Sequence, residues 1–141
     1  MKTTAIVEHL DRIMRGVDAE MHRLAPAIDE ARVGPLGSIT LKRIAGLTPV
    51  PLHVLVDAMG RDPSQMSRVI SSLERKGLVS KSAQSSDRRV SVLTLTPAGA
   101  AHVDKLDHLL RGVIDDLLRP LSEQERDLLL MLLAKVTASA V

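Results

Sequence analysis

The chain has 141 residues, a length typical of one domain, with 45% apolar residues and a formal net charge of +2. It contains no cysteine, which excludes disulfides, thiolate metal sites and a cysteine nucleophile. It also contains no aromatic residue, which argues against RNA and single-strand modules that stack bases on such rings. Neither a signal peptide nor a run of about 18 apolar residues is visible, so we expect a cytoplasmic protein with no membrane partner.

Prolines and glycines divide the first part of the chain into helices. Apolar residues at helical spacing predict a first helix over residues 4–24 and a second over 36–46. Residues 48–51, Thr-Pro-Val-Pro, form an extended link, because two prolines in four residues exclude a helix. One short edge pairing through Val50 would fit this link. Residues 52–59 are predicted to form a short third helix.

Residues 62–77, DPSQMSRVISSLERKG, form the best-delimited predicted helix, and Gly60 separates it from the helix before. Asp62 is a suitable N-cap, because its carboxylate accepts a hydrogen bond from an otherwise unpaired backbone N–H. Pro63 fits the first helical position, and Gly77 ends the helix. Two helices joined by a tight, glycine-containing turn have the spacing of a helix-turn-helix.

This helix has two contrasting faces at about 100° per residue. The polar face suits the major groove of double-stranded DNA, where Arg, Gln and Ser bond base edges and phosphates. The alternative is an ordinary amphipathic surface helix. The apolar positions are Met66, Val69, Ile70 and Leu73, and the candidate DNA-binding positions are Ser64, Gln65, Ser67, Arg68, Ser71 and Arg75.

Two short strands are predicted next, over residues 78–82 and 90–95, joined by a polar loop that ends in Arg88 and Arg89. A hairpin directly after a helix-turn-helix is a wing, and its arginines would reach phosphates or the narrow minor groove. A surface hairpin without a partner is the alternative. Residues 61–89 contain seven basic and three acidic residues, a net charge of +4, as expected for a surface that binds a polyanion.

The last two helices are predicted over about 97–118 and 123–137. The final helix contains six consecutive apolar residues, 128–133, and a helix that is apolar on every face must be buried on all sides. A second copy of the chain is the simplest cover, with the first helix as the natural packing element. We therefore expect a homodimer that presents two recognition helices to half-sites about one DNA turn apart. The expected interface residues are Ile6, Leu10, Leu129, Leu132 and Leu133.

The stretch from about residue 36 to 99 resembles the MarR family of bacterial transcriptional regulators. The matching pieces are DAMGRDPSQMSRVISSLERKGLVSK, the wing sequence SSDRRVSVLTLT and the TPAG that opens the next helix. The flanking helices fit the layout of the family too. The resemblance implies a dimeric winged helix that binds pseudo-palindromic operator DNA, commonly as a repressor, and often releases it when a small ligand binds between the dimerisation and DNA-binding parts.

The resemblance also implies roles for particular residues. Arg89 looks like the wing-tip arginine, and Asp87 would orient it rather than touch DNA. Because the chain lacks cysteine, a peroxide-sensing mechanism is excluded, and the lack of aromatic residues argues against an aromatic-lined pocket for phenolic ligands. The residues that would meet the major groove and its phosphates are Ser64, Gln65, Ser67 and Arg68, while Ser71, Arg75 and Arg88 are added on face and charge.

Together these patterns predict a mainly α (α+β) fold in a single domain, residues 1–141. Residues 36–97 would form a winged helix-turn-helix with a two-stranded wing, and residues 4–30 and 98–141 a helical dimerisation part. The predicted function is sequence-specific binding of double-stranded DNA by a homodimeric transcriptional repressor. Its further partner would be a small-molecule effector of unknown identity, and no cofactor is expected.

Three alternatives were weighed against this function. No phosphate loop, H-E-x-x-H motif or catalytic triad is apparent, so we predict that the protein is not an enzyme. His102 and His108 lie about 240° apart on one helix and cannot bind a metal from one face, so we predict no metal site. A metal-responsive regulator would need ligands from other helices. The third alternative, a winged helix that binds protein rather than DNA, would lack the steep salt dependence of DNA binding.

Overall fold

The computed structural model describes residues 1–84 and 86–140, which form six α-helices and a three-stranded antiparallel sheet. The mainly helical winged fold predicted from the sequence is confirmed. The helices are α1 (Lys2–Leu24), α2 (Gly34–Leu47), α3 (Leu52–Met59), α4 (Pro63–Arg75), α5 (Pro97–Leu117) and α6 (Glu123–Ser139), the strands are β1 (Val50–Pro51), β2 (Val79–Ala83) and β3 (Ser91–Leu95), and a 3₁₀ turn (Ala25–Ile28) follows α1.

The sheet has β3 at its centre and the order β1-β3-β2. Strands β2 and β3 form the predicted wing hairpin, in which Val79 pairs with Leu95. The wing is two-stranded, but the sheet gains a third strand because Val50 pairs with Leu93. The edge pairing allowed at Val50 is therefore real, and Pro51 is tolerated there because an edge strand need not donate every N–H.

The core of the winged part lies where α2, α3 and α4 pack against the sheet, and it is entirely aliphatic. Three of the four predicted apolar residues of α4 are buried, and Val69 is half-buried against the same core. The predicted anchoring face of α4 is therefore confirmed. The fully buried side chains around it include Leu41, Ile44, Leu55, Met66, Ile70, Leu73 and Leu93.

Both ends of α4 are fixed by local hydrogen bonds. At its start, the Asp62 carboxylate accepts from the backbone N–H of Gln65 at 2.9 Å. At its end, Gly77 has φ +73°, and the N–H of Leu78 donates to the carbonyl of Leu73 at 3.0 Å. The orientation of α4 is thus set by its own sequence as well as by the core.

Helix α5 begins directly against the end of α4. The Thr96 hydroxyl accepts from the N–H of Gly99 at 3.1 Å and donates to the carbonyl of Gly77 at 2.6 Å. A Cβ atom at position 99 would clash with the carbonyl oxygen of Leu78, so only glycine fits. The long helix α5 is therefore clamped to the segment that follows α4.

The terminal helices differ from this body because neither α1 nor α6 contains a buried residue. Helix α1 packs along α5, whereas α6 does not pack extensively on another element. Arg126 joins α6 to α5 by donating to the carbonyl of Leu118 at 3.0 Å. None of the described helices is long and apolar enough to cross a membrane.

Candidate nucleic-acid interface

The polar face of α4 lies on the molecular surface, opposite the buried Met66, Ile70 and Leu73. This arrangement follows from the helical period, because side chains about half a turn away from the core must point outward. Their exposure fits DNA contact, which stays a prediction. The exposed residues are Ser64, Ser67, Arg68, Ser71 and Arg75, and Gln65 is half-buried.

The wing loop holds its arginines at the end of the hairpin. The N–H of Gln84 donates to the carbonyl of Val90 at 2.8 Å, and the N–H of Val90 donates to the carbonyl of Asp87 at 3.1 Å. These bonds close a tight turn in which Arg88 and Arg89 are both exposed. The side chain of Arg89 is 91% exposed, so most of its guanidinium surface is open to a phosphate.

Asp87 accepts three hydrogen bonds from Arg89. Its Oδ1 atom accepts from the backbone N–H at 3.0 Å and from Nε at 3.3 Å, and its Oδ2 atom accepts from Nη2 at 3.5 Å. The backbone hydrogen bond, and then the side-chain bond, lower the pKa of the Asp87 carboxyl from its ordinary value. This geometry is the one expected for a residue that orients Arg89.

A cleft of about 390 Å³ separates α4 from the wing. Ser67 on α4 and Arg89 on the wing line the same cleft, so the two predicted DNA-binding elements form one continuous surface. The cleft also contains His53, which the sequence analysis did not single out for DNA contact. The lining residues are Leu52, His53, Val56, Asp57, Pro63, Ser67, Arg89, Val90 and Ser91.

A larger cavity of about 740 Å³ lies where α1 and α5 meet α2. Its walls are largely aliphatic, and the sequence analysis named no residue for such a cavity because its walls come from distant segments. The apolar lining includes Ile13, Met14, Val17, Met21, Ile39, Leu106 and Leu110, and the polar lining consists of Asp18, His22, Asp29, Arg32, Ser38 and Lys42.

One wall of this cavity is hydrogen-bonded to the end of α4. The carboxylate of Asp29 accepts from the backbone N–H groups of Val33 and Gly34, both at 2.9 Å, which shapes the loop before α2. In that loop Arg32 has φ +54°, in the left-handed region. Its carbonyl accepts from the Lys76 ammonium at 2.7 Å, and Lys76 is the C-cap of α4. A residue that lines the cavity, Arg32, is therefore hydrogen-bonded to the end of α4.

Across residues 1–84 and 86–140, no three His, Asp or Glu side chains come together as a metal site. His102 is 7% exposed, and its Nε2 atom has no hydrogen-bond partner within this part of the chain. One buried imidazole does not supply the three or four ligands of a protein metal site.

Comparison with known proteins identifies relatives of the whole architecture. The family model described as "MarR family" matches residues 39–91. A transcriptional regulator from Thermotoga maritima is 18% identical with a TM-score of 0.77, over 96% of this chain and 94% of that chain. A probable transcriptional regulator from Pseudomonas aeruginosa is 28% identical with a TM-score of 0.61, over 90% and 96%.

A third similar structure contains a nucleic acid. It is a mutant of MarR from E. coli complexed with operator DNA, 23% identical with a TM-score of 0.63, over 92% of this chain and 94% of that chain. All three likenesses extend well beyond the winged part, since each covers nine-tenths of the chain or more. They show that the terminal helices belong to the same fold as the helix-turn-helix.

Proposed function

We propose that the chain is a transcriptional regulator of the MarR type that binds double-stranded DNA sequence-specifically, because the MarR family model matches residues 39–91. The observation that carries the proposal is the continuous surface formed by the polar face of α4, the cleft and Arg89. The operator DNA in the complex with E. coli MarR belongs to that protein, and it supports the same class of partner here.

In the proposed complex, α4 enters the major groove and the wing reaches the adjacent minor groove. Arg68 and Gln65 have side chains long enough to bond base edges, and Arg is suited to guanine while Gln is suited to adenine. The hydroxyls of Ser64 and Ser67 donate to nearby phosphates, which fix the register of the helix. Arg89 enters the minor groove, where the negative potential is strongest in A-tracts.

Two copies of the chain would bind a pseudo-palindromic operator. The apolar residues that α1 and α6 leave exposed support this proposal, because large exposed apolar surfaces mark interaction sites. Leu132 and Leu133 are 49% and 48% exposed, and Ile6 and Leu10 lie on the exposed apolar face of α1. Leu129 is half-buried within one chain, so its share of the interface would be smaller.

We further propose that the protein is a repressor that a small ligand releases from DNA. The cavity supports this, because about 740 Å³ is within the range of small-molecule sites and its walls are mainly apolar. It lies between helices of the dimerisation part and α2 of the DNA-binding part. A ligand there would change how α5 sits on α2, and with it the spacing of the two recognition helices.

Selection of bound duplexes from a random DNA pool tests the proposed function. We expect enrichment of a motif with two related half-sites. Affinity for the selected duplex should also fall steeply with salt: the logarithm of the association constant should change by about −0.9 per phosphate neutralised for each unit in the logarithm of the salt concentration. No enrichment, together with salt-independent binding, would refute DNA binding and favour a protein-binding winged helix. A reporter gene placed behind the selected motif then distinguishes repression from activation.

A further inference from the structure

We propose that His53 contacts the phosphate backbone that runs between the major groove occupied by α4 and the minor groove reached by Arg89. The inference rests on the proposed DNA-binding function and adds a contact that neither the polar face of α4 nor the wing provides. It assigns a DNA-binding role to α3, the supporting helix of the helix-turn-helix.

The cleft lies between the two elements proposed to bind DNA. In duplex DNA, one sugar-phosphate backbone separates a major groove from the neighbouring minor groove. Ser67 on α4 and Arg89 on the wing both line the cleft. When these two elements occupy adjacent grooves, we expect the backbone between the grooves to pass along the cleft.

The side chain of His53 has the chemistry to bind a phosphate in this cleft. His53 is exposed at the start of α3 and lines the cleft. Within residues 1–84 and 86–140 it forms no side-chain hydrogen bond or ion pair, so its ring N–H is available to a ligand. A neutral imidazole donates one N–H to a phosphate oxygen, whereas an imidazolium donates from either nitrogen and adds a positive charge.

Two charged side chains share the cleft with His53. Among the described residues, Asp57 and Arg89 are the other ionisable side chains that line the cleft. Asp57 lies one turn after His53 on the same helix, and its carboxylate repels a phosphate, whereas Arg89 attracts one. On the α3 side of the cleft, the His53 imidazole is therefore the group that can donate to a phosphate, beside a carboxylate that opposes one.

Fluorescence anisotropy with the selected duplex, and with a duplex of unrelated sequence, tests the inference. We expect His53→Ala to bind the selected duplex roughly five-fold more weakly than the wild-type protein, the usual effect of losing one hydrogen bond. It should weaken binding to the unrelated duplex by the same factor, because a phosphate contact does not depend on sequence.

His108→Ala is the matched control, because His108 is an exposed histidine on α5 that does not line the cleft. It should keep the wild-type affinity for both duplexes. Asp57→Asn provides a variant of opposite sign, which should tighten binding by roughly two-fold. Circular dichroism melting confirms that each variant remains folded.

The outcomes separate the inference from the proposed function. If the wild-type protein binds no duplex, the proposed DNA-binding function fails. If it binds DNA and His53→Ala retains the wild-type affinity for both duplexes, the phosphate contact is refuted while the function stands. Equal weakening on both duplexes in His53→Ala but not in His108→Ala supports the contact.

Discussion

The winged-helix body, residues 34–95, buries most of its large apolar side chains, whereas α1 and α6 leave most of theirs exposed. Leu41, Ile44 and Leu55 in the body have no exposed surface. On α6, Leu132 and Leu133 keep about half of their surface exposed, although five of the 17 residues of this helix are leucine. The difference teaches that apolar content alone does not form a core, because a helix also needs a surface to pack against.

A second copy of the chain would supply that surface for the terminal helices. Burying a leucine side chain fully stabilises a protein by roughly 2 kcal/mol, so covering half of several such residues in each copy gives several kcal/mol. The body would then fold by its own contacts, and the terminal helices by association. Each of the following changes acts on one side of this comparison.

The largest effect is expected for Leu133→Asp. In a symmetric dimer the change occurs twice, and each carboxylate would lose its hydration in an apolar interface at a cost of several kcal/mol. Dimer affinity should therefore fall on the order of a thousand-fold. Light scattering coupled to size-exclusion chromatography measures this directly, with Leu133→Met as a control that preserves size and polarity. A Leu133→Asp dimer as stable as wild type would refute the α6 interface.

Leu41→Ala tests the body. Leu41 lies on α2 and its side chain is fully buried in the core, so its truncation should lower the free energy of unfolding by about 3 kcal/mol. The loss should be the same at all protein concentrations in urea titrations. Leu132→Ala should instead change only the concentration-dependent part of stability. Equal concentration dependence for the two variants would contradict the division between body and terminal helices.

Arg89→Ala separates DNA contact from association. It should weaken binding to the selected duplex by about ten-fold, because the guanidinium contributes on the order of 1–3 kcal/mol to a specific contact. The dimer should be unaffected, since Arg89 lies on the wing. Arg111→Ala, an exposed arginine of α5, is the control in anisotropy titrations. Unchanged affinity of Arg89→Ala would remove the wing from the DNA-binding surface.

The smallest effect is expected for Lys76→Met, which removes the hydrogen bond between the end of α4 and the Arg32 carbonyl. Because Lys76 is exposed, the free energy of unfolding should change by less than about 1 kcal/mol. Hydrogen exchange of residues 29–34 should nevertheless become faster, while Lys81→Met on β2 leaves it unchanged. Wild-type exchange rates in Lys76→Met would mean that this bond does not hold the cavity wall.

How much of this structure the sequence predicts depends on the range of the interactions. The bounds of α4 follow from adjacent residues, and the expected roles of Asp62 and Gly77 are confirmed. The pairing of Val50 with Leu93 joins positions more than forty residues apart through a two-residue strand, so the sequence could only allow for it. The same holds for the cavity and the cleft, whose walls come from separate helices.

The candidate site shows the same limit. The polar face of α4 and the wing arginines are apparent from the sequence because periodicity and charge are local patterns. His53 is not, because nothing within α3 distinguishes it from an ordinary surface histidine. Only the cleft, which brings α3, α4 and the wing together, places His53 beside the two predicted DNA-binding elements.

The close contact between Gly99 and the Leu78 carbonyl holds one end of the long helix α5 in place. The 21 residues of α5 extend over about 31 Å, and its first turn lies against Leu78, which follows α4. A tilt of about 5° at this contact would therefore displace the opposite end by about 3 Å, at a rise of about 1.5 Å per residue. Conversely, a displacement of a few ångströms where α5 leads into α6 needs only a small rotation of α5 about its start. Substituting Gly99 would move the start of α5 away from the segment after α4, because a side chain there would clash with the Leu78 carbonyl oxygen.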